Sequence, residues 1–405
     1  MAGGQPIPII TTADFKIVDG HAIYEHLKDS GATEALVTVL HSTTETDARA
    51  LRLILNHMVE DTRWNAPALK LEILELIELG YDLDSTGFDP TEIDKLLRLD
   101  FPTGTLIEDI DHLEPLQDLP IAKRGDIFQL GDNRFGCGDA RDRSFVRQLC
   151  KGERADVCVT DPPYNIKIDG LVSGKGRNRH REFVVGSGEL SEADYFAFLV
   201  DSIQGLLSSV SSRALLYLFI DWRHVCEMTA AGRTLGLSLI NIAVWAKSNA
   251  GMGSLYRNQH ELCCIYKAGG EPHCNNIELG RFGRNRSNPW PCAGMSSFGR
   301  DRDALLKSHP TCKPVSLVAD ILRDVTRRGE ILLDTFCGSG TSLIAADETG
   351  RRCFATELDP LYVDSAIRRW QRTTGRDAVH VPTGENSTIT RKPFKTLTTL
   401  ADLTL

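Results

Sequence analysis

From Gly125 onward the chain alternates between short apolar runs and amphipathic helical patterns, which limits the available folds more than any other feature. Residues 156–160, 214–220, 239–247, 261–267, 330–336 and 352–358 read as buried strands. Helical patterns occupy residues 194–208, 315–327, 341–349 and 363–372. Strands that are apolar on both faces need helices on both, which predicts an α/β fold with a mostly parallel, doubly wound sheet. Two glycine- and arginine-rich stretches, 166–188 and 269–308, break the rhythm and read as long loops, of the kind that are functional or disordered.

Upstream the chemistry changes. Residues 1–120 carry 8 Lys and Arg against 23 Asp and Glu, a balance of -15, whereas the remainder carries +6, so the net charge of -9 describes neither half. Residues 30–100 read as largely helical, with a turn at 84–90, a short helix at 91–98 and a linker at 100–125. The expected division is an acidic helical region at 1–120, a catalytic domain at 121–373 and a surface-bound or disordered tail at 374–405. No apolar run reaches the length of a membrane span, and a soluble intracellular protein is expected. Eleven cysteines, mostly inside apolar stretches, read as free thiols in a reducing compartment. No paired ligand spacing supports a metal site, and no metal is expected.

The most informative tetrapeptide is Asp161-Pro162-Pro163-Tyr164, directly after a predicted strand. The carboxyl end of a strand in an open α/β sheet is where ligands bind. An ionised Asp only accepts hydrogen bonds, and consecutive prolines stiffen the chain and leave carbonyls without local donors. Rigid acceptors beside an aromatic ring suit a planar group with an exocyclic NH2. Taken alone, the same residues also fit a proline-stiffened loop with a surface Asp.

A second motif runs Asp334-Thr335-Phe336-Cys337-Gly338-Ser339-Gly340, between a predicted strand and the helix at 341–349. Its glycines permit a tight turn and close backbone approach, and the helix N-terminus favours a carboxylate. Leu343 stands where the dinucleotide fingerprint has its third glycine. Glu357 ends the next strand, where it could chelate a ribose diol.

Together these motifs resemble the amino-group DNA methyltransferases that use S-adenosylmethionine. The catalytic motif precedes the cofactor motif, which resembles the permuted "beta" order and implies a circularly permuted Rossmann-like sheet. Cys137-Gly138-Asp139 is similar to the family's acidic element at the cofactor adenine. His309-Pro310-Thr311-Cys312-Lys313-Pro314 resembles its segment ahead of the cofactor loop, and Gly251-Met252-Gly253-Ser254-Leu255-Tyr256-Arg257 with His260-Glu261-Leu262 resembles prophage-type members. The resemblance covers residues 125–373. It implies catalysis at Asp161, Pro162, Pro163 and Tyr164, and cofactor contacts at Asp139, Lys313, Asp334, Phe336, Gly338, Gly340 and Glu357.

By the same resemblance, a base leaves the duplex, Tyr164 stacks on it, and Asp161 with the Pro162 carbonyl accepts its amino hydrogens. Asp ahead of Pro-Pro-Tyr implies adenine N6, with cytosine N4 as the rival, RNA or a protein amide less favoured, and an inactive binding module as the non-enzymatic alternative. Lys175, Arg177, Arg179 and Arg181 in one loop, and Arg281, Arg284 and Arg286 in the other, fit phosphate contacts on double-stranded DNA, although solvated loops look the same. The second loop lies where the family places target recognition. Residues 18–27 and 64–97 weakly resemble ParB-like domains, in degenerate form. The resemblance also implies a homodimer, a role in DNA modification rather than restriction, and a cytoplasmic, nucleoid-associated protein of bacterial or phage origin.

Overall fold

A computed structural model describes residues 8–57, 66–78, 119–166, 184–248, 255–277, 286–292, 312–381 and 392–394, with single positions between them. The chain divides after Pro102 into two compact units.

In the first unit, β1 (Ile9–Thr12), β2 (Ile17–Asp19), α1 (His21–Asp29) and β3 (Val37–Leu40) lead into α2 (Glu45–His57) and α3 (Ala66–Glu78). The strands form a sheet of order β2-β1-β3, parallel between β1 and β3. Thr44 and Asp47 cap α2 reciprocally, each backbone N–H donating to the other side chain at 3.1 Å. Ala50 and Leu53 of α2 pack with Leu69, Ile73 and Leu76 of α3 in a small separate core. The helical expectation is corrected at β1–β3. Strands of three or four residues, with β3 largely exposed, are too short to reveal a period of two. The turn at 84–90 and the helix at 91–98 lie almost wholly outside the described residues.

The second unit begins with β4 (Ile127–Leu130), β5 (Asn133–Cys137), α4 (Arg143–Cys150), β6 (Ala155–Thr160), α5 (Glu192–Leu207) and β7 (Val210–Ile220). It continues through α6 (Val225–Thr234), β8 (Ser238–Ala246), β9 (His260–Lys267), β10 (Pro289–Pro291), α7 (Val315–Val325) and β11 (Ile331–Asp334). The last elements are α8 (Thr341–Thr349), β12 (Arg352–Glu357), α9 (Pro360–Thr374), β13 (Val379–Val381) and β14 (Lys392–Pro393). One sheet runs β10-β8-β9-β7-β6-β11-β12-β5-β4-β13-β14.

The five central strands, β7-β6-β11-β12-β5, are parallel as expected. The flanks are not. β9 is antiparallel to both neighbours, and the β4–β5 hairpin and β13 extend the other edge antiparallel. An apolar run records burial but not direction, so the sequence could not reveal this reversal. The expected tail at 374–405 contributes β13 and β14 to the sheet, a second correction. The division at 102/103 also falls earlier than the expected 120/121. Glu114 is tied into the second unit, where its carbonyl accepts from Ser365 Oγ at 2.8 Å and its carboxylate meets Arg372 at 3.2 Å.

Alternation along the central strands divides the core in two. Val157, Val159, Leu215, Tyr217, Leu332 and Ala355 face α7, α8 and α9. Cys158, Leu216, Leu218, Leu333 and Phe354 face α4, α5 and α6. Local signals fix the helix starts: Asp142 caps α4, Ser191 caps α5, and Asp359 caps α9 with Pro360 in its first turn. Each such cap contributes about 1 kcal/mol.

β6 leads through α5 to β7 on one side of the sheet, while the adjacent β11 leads through α8 to β12 on the other. The strand order therefore reverses between β6 and β11. In an open parallel sheet the crevice at the carboxyl ends of such a pair is the natural ligand site.

Candidate active site

Asp161-Pro162-Pro163-Tyr164 follows β6, and the turn from Thr335 to Gly340 follows β11, so both sequence motifs emerge at this reversal. Thr160 joins the strand ends: its hydroxyl donates to Asp334 Oδ1 at 2.8 Å and accepts from the Thr335 N–H at 3.2 Å. The tetrapeptide is braced from behind, because the Pro163 carbonyl accepts from Tyr195 Oη at 2.9 Å. Asn165, at a positive φ of 54°, accepts from the Gly188 and Leu190 N–H groups and holds the outgoing loop.

The two motifs share one cleft with an empty volume of about 1320 Å³, open to solvent. It gathers Asp161, Pro162, Pro163 and Tyr164 with Asp139, Lys313, Asp334, Phe336, Gly338 and Glu357. Gly340 sits behind the wall as the N-cap of α8, at φ 84°. A Cβ there would lie 2.9 Å from Ala366 Cβ, so close packing against α9 and the positive φ both require glycine.

On the β11–β12 side, Glu357 ends β12 with both oxygens oriented by the backbone. Its Oε2 accepts from the Gly338 N–H at 3.0 Å and its Oε1 from the Asp359 N–H at 2.9 Å. Burial pushes its carboxyl up to about 7 against those two donors. Asp139 is gripped by the Arg141 guanidinium, whose Nη2 donates at 2.7 Å. Burial opposes ionisation of Asp139, but Arg141 outweighs it and holds the carboxyl below its ordinary range.

Asp334, at the end of β11, fixes the turn that follows it. Its oxygens accept from Thr160, the Phe336 N–H at 3.1 Å and Ser342 Oγ at 2.6 Å, so it stitches the turn from within the wall. Burial pushes its carboxyl up to about 6. Arg369, buried in α9, supports the same turn by donating to the Ser339 carbonyl at 3.1 Å.

Lys313 lines the same cleft and turns its ammonium towards the tetrapeptide after β6. Its ammonium is 2.5 Å from Asp161 Oδ2 and 2.8 Å from Glu261 Oε2. Three rings surround it, with centroids at 4.7 Å for Phe219, 5.5 Å for Trp245 and 5.6 Å for Tyr164. Tyr164 Oη donates to Asp161 Oδ1 at 2.5 Å and lies 3.0 Å from Glu261 Oε2. Lys247 closes the chain at 2.5 Å from Glu261 Oε1. Burial opposes ionisation of Glu261, but Lys313 and Lys247 outweigh it and hold it down to about 2. For Asp161, which shares a single lysine, burial wins and the carboxyl rises.

The sequence reading did not single out Lys247, and it noted Glu261 only within the His260-Glu261-Leu262 resemblance, without a role in the site. The available signal was a carboxylate inside the apolar run Glu261-Leu262-Cys263-Cys264-Ile265 of β9, a position that requires a partner. Of the predicted DNA-contacting residues, Lys175, Arg177, Arg179, Arg181, Arg281 and Arg284 lie outside the described residues. Arg286 is engaged within the protein, at 2.9 Å from Asp320 and 2.8 Å from Asp324. Among the described residues no group of His, Cys, Asp and Glu is arranged to hold a metal ion. None of the described helices is long and apolar enough to cross a membrane.

Comparison with known proteins places this geometry in context. Residues 155–368 match the N6/N4 methyltransferase family described as DNA methylase, and residues 67–124 match the ParB-methyltransferase HTH domain. The methylase YubD of Escherichia coli K12 is 26% identical over 207 residues, which span 51% of this chain and 78% of that one. The type II methyltransferase M2.MboI of Moraxella bovis is 22% identical over 258 residues, spanning 61% and 91%. Among solved structures, the M1.HpyAVI–SAM complex matches with a TM-score of 0.43 and 18% identity, over 58% of this chain and 97% of that one. The cytosine-N4-specific PvuII DNA methyltransferase matches with 0.45 and 14%, over 64% and 94%.

Proposed function

This chain belongs to the N6/N4 DNA methylase family, and from that premise we propose that it methylates the N6 amine of a flipped adenine in double-stranded DNA. The observation that carries the reading is the shared cleft, in which the acceptors after β6 are gathered with the turn after β11 and Glu357 at the end of β12. S-adenosylmethionine, the methyl donor, supplies a methyl group already activated by the positive charge on its sulfur.

The residues present fit that donor. Glu357 offers a carboxylate, steadied by two backbone N–H groups, to a ribose diol, and Gly338 leaves the backbone uncovered beside it. Phe336 and Asp139 complete the nucleoside side of the cleft. Asp334 and Gly340 act one layer back by fixing the turn.

On the acceptor side, extracting the base costs a few kcal/mol of stacking and pairing. Tyr164 offsets part of that by stacking. Asp161 and the Pro162 carbonyl accept the two amino hydrogens, which draws the nitrogen lone pair out of conjugation and aims it across the cleft. Positioning and fixed charge then supply most of the rate. Asp at the first position of the tetrapeptide supports adenine over cytosine. The basic residues of 175–181 and 281–284 supply salt-sensitive phosphate contacts in this reading.

The test is long-read methylation sequencing of DNA from a methylation-free host expressing the chain, beside Asp161→Ala. N6-methyladenine at one motif, absent with the variant, is the expected result. N4-methylcytosine at one motif would replace the adenine reading with the cytosine one. No methylated base, from protein that folds and binds S-adenosylmethionine, would overturn DNA as the acceptor.

A further inference from the structure

Both oxygens of Asp161 are already taken. Oδ1 receives Tyr164 Oη and Oδ2 receives the Lys313 ammonium, each at 2.5 Å. An acceptor engaged by an ammonium at that distance has much of its charge neutralised, which makes it a poor partner for a weakly acidic amine. The site as it stands is engaged by its own donors, which compete with a base for the same two oxygens.

The same two donors share a second acceptor. Glu261 Oε2 lies 3.0 Å from Tyr164 Oη and 2.8 Å from Lys313 Nζ. Lys247 fixes the opposite oxygen of Glu261 at 2.5 Å and itself lies over the Trp245 ring, at 4.7 Å from its centroid. Asp161, Lys313, Glu261 and Lys247 therefore alternate in charge along one row, buried at Lys313 and Glu261 and half-buried at its two ends, with Tyr164 bridging the two carboxylates.

We propose that Glu261 is a positioning residue that takes over Tyr164 and Lys313 when the exocyclic amine of the target base reaches Asp161. The exchange moves hydrogen bonds only. Lys313 remains charged and changes its principal acceptor, as does the Tyr164 hydroxyl, while Asp161 regains two full acceptor oxygens. Because both donors already touch both carboxylates, the change needs rotations at side-chain ends and no movement of β6, β9 or the backbone before α7. Lys247 prevents Glu261 from turning away, and the ring box keeps Lys313 from escaping to solvent. The inference rests on the methyltransferase reading of the cleft.

Single-turnover methyl transfer on duplex DNA tests it with the full chain, using wild type, Glu261→Gln, Lys313→Met and the double variant. Glu261→Gln keeps the side chain's size but surrenders the charge that attracts both donors. Its transfer rate is expected to fall by about tenfold to a hundredfold, with S-adenosylmethionine affinity and the KM for DNA within about twofold of wild type. Glu261→Asp is expected to recover part of the rate, and it serves as the working variant if the Gln protein does not fold. The double variant is expected to lose less than the product of the two single losses, since Glu261 acts in part through Lys313 and in part through Tyr164. A wild-type rate in Glu261→Gln, or fully additive losses in the double variant, would overturn the proposal. A structure with an extruded base offers a second readout. Tyr164 and Lys313 should then lie on Glu261, and finding both still on Asp161 contradicts the exchange. Failure of the wild-type chain to methylate any DNA strikes the function reading instead.

Discussion

The Lys313 ammonium and the Asp161 carboxylate stand 2.5 Å apart at the mouth of the strand-order reversal, although 152 positions separate them in the chain. The pair determines the protonation of the residue on which the proposed chemistry depends. Burial raises the Asp161 carboxyl, and Lys313 is the strongest force holding it down.

Removing that force gives a prediction with a definite sign. In Lys313→Met, burial and the neighbouring Glu261 act on Asp161 against the Tyr164 hydrogen bond alone, so its proton is held to higher pH than in wild type. The ionised form is the one that accepts the amine. The acidic limb of the rate profile should therefore move towards alkaline pH, with a loss that is largest at the acid end and shrinks as pH rises. Single-turnover rates across pH measure it. A uniform loss at every pH would mean that Lys313 matters for geometry and not for the charge on Asp161.

Glu357 carries a second pH dependence. Its carboxyl ordinarily titrates near 4.5 and is pushed up to about 7 by burial, so below that point the free protein holds it protonated. Ribose hydroxyls donate best to the ionised form, and cofactor binding should expel a proton. Affinity for S-adenosylmethionine is expected to climb with pH and level off above about 7. Calorimetry near pH 6.5 in two buffers of different ionisation heat should register proton release in wild type and none in Glu357→Gln. Proton uptake by wild type would contradict the assignment. The same shift has the opposite effect on the unliganded fold. The folded state binds the extra proton between 4.5 and about 7, so stability from this group is present at low pH and declines as pH rises.

How far the sequence could lead is clear from particular residues. β6, β7, β11 and β12 were legible because strands buried on both faces are continuous apolar runs, and α5, α7 and α9 because one face of each is apolar. Asp161 and the Gly338–Gly340 turn were legible because each combines an unusual backbone with a strand end. The direction of β9 was hidden, since an apolar run reads alike in either direction. The partnership of Lys313 with Asp161 and Glu261 was also hidden. It joins the ends of β6 and β9 with the segment before α7, and no local pattern encodes that meeting.

Gly340 allows a comparison in which backbone strain and steric conflict separate. Gly340→Ala meets both a φ of 84° and Ala366 Cβ at 2.9 Å, whereas Gly375→Ala meets a φ of 69° with nothing within 4 Å. Backbone strain alone costs about 1 kcal/mol, so Gly375→Ala should lose roughly that. Gly340→Ala should lose more, about 2–3 kcal/mol, because the overlap falls on packed backbone and Cβ atoms. Denaturant midpoints at unchanged m-value read the difference. Equal losses would show that α8 and α9 separate without cost.

The last prediction concerns where the catalytic unit begins. Asp364 of α9 is buried, and its carboxylate accepts from the Ile121 and Ala122 N–H groups at 2.6 and 2.9 Å. Glu114 reaches the same helix through Ser365 and Arg372. A chain starting at Thr103 keeps all four contacts, and it is expected to fold and bind S-adenosylmethionine like the full chain. A chain starting at Gly125 leaves Asp364 buried with Arg368 at 3.4 Å and without its two backbone donors. Leaving a buried acceptor short of its partners costs about 1–3 kcal/mol, which should appear as a lower denaturant midpoint and stronger destabilisation at neutral than at acid pH. The pH dependence has that sign because burial already raises the Asp364 carboxyl and the lost N–H groups were lowering it. Asp364→Asn in the shortened chain removes the buried charge and should recover part of the loss. If both shortened chains unfold at the same denaturant concentration as the full chain, the segment before β4 contributes nothing to the catalytic unit.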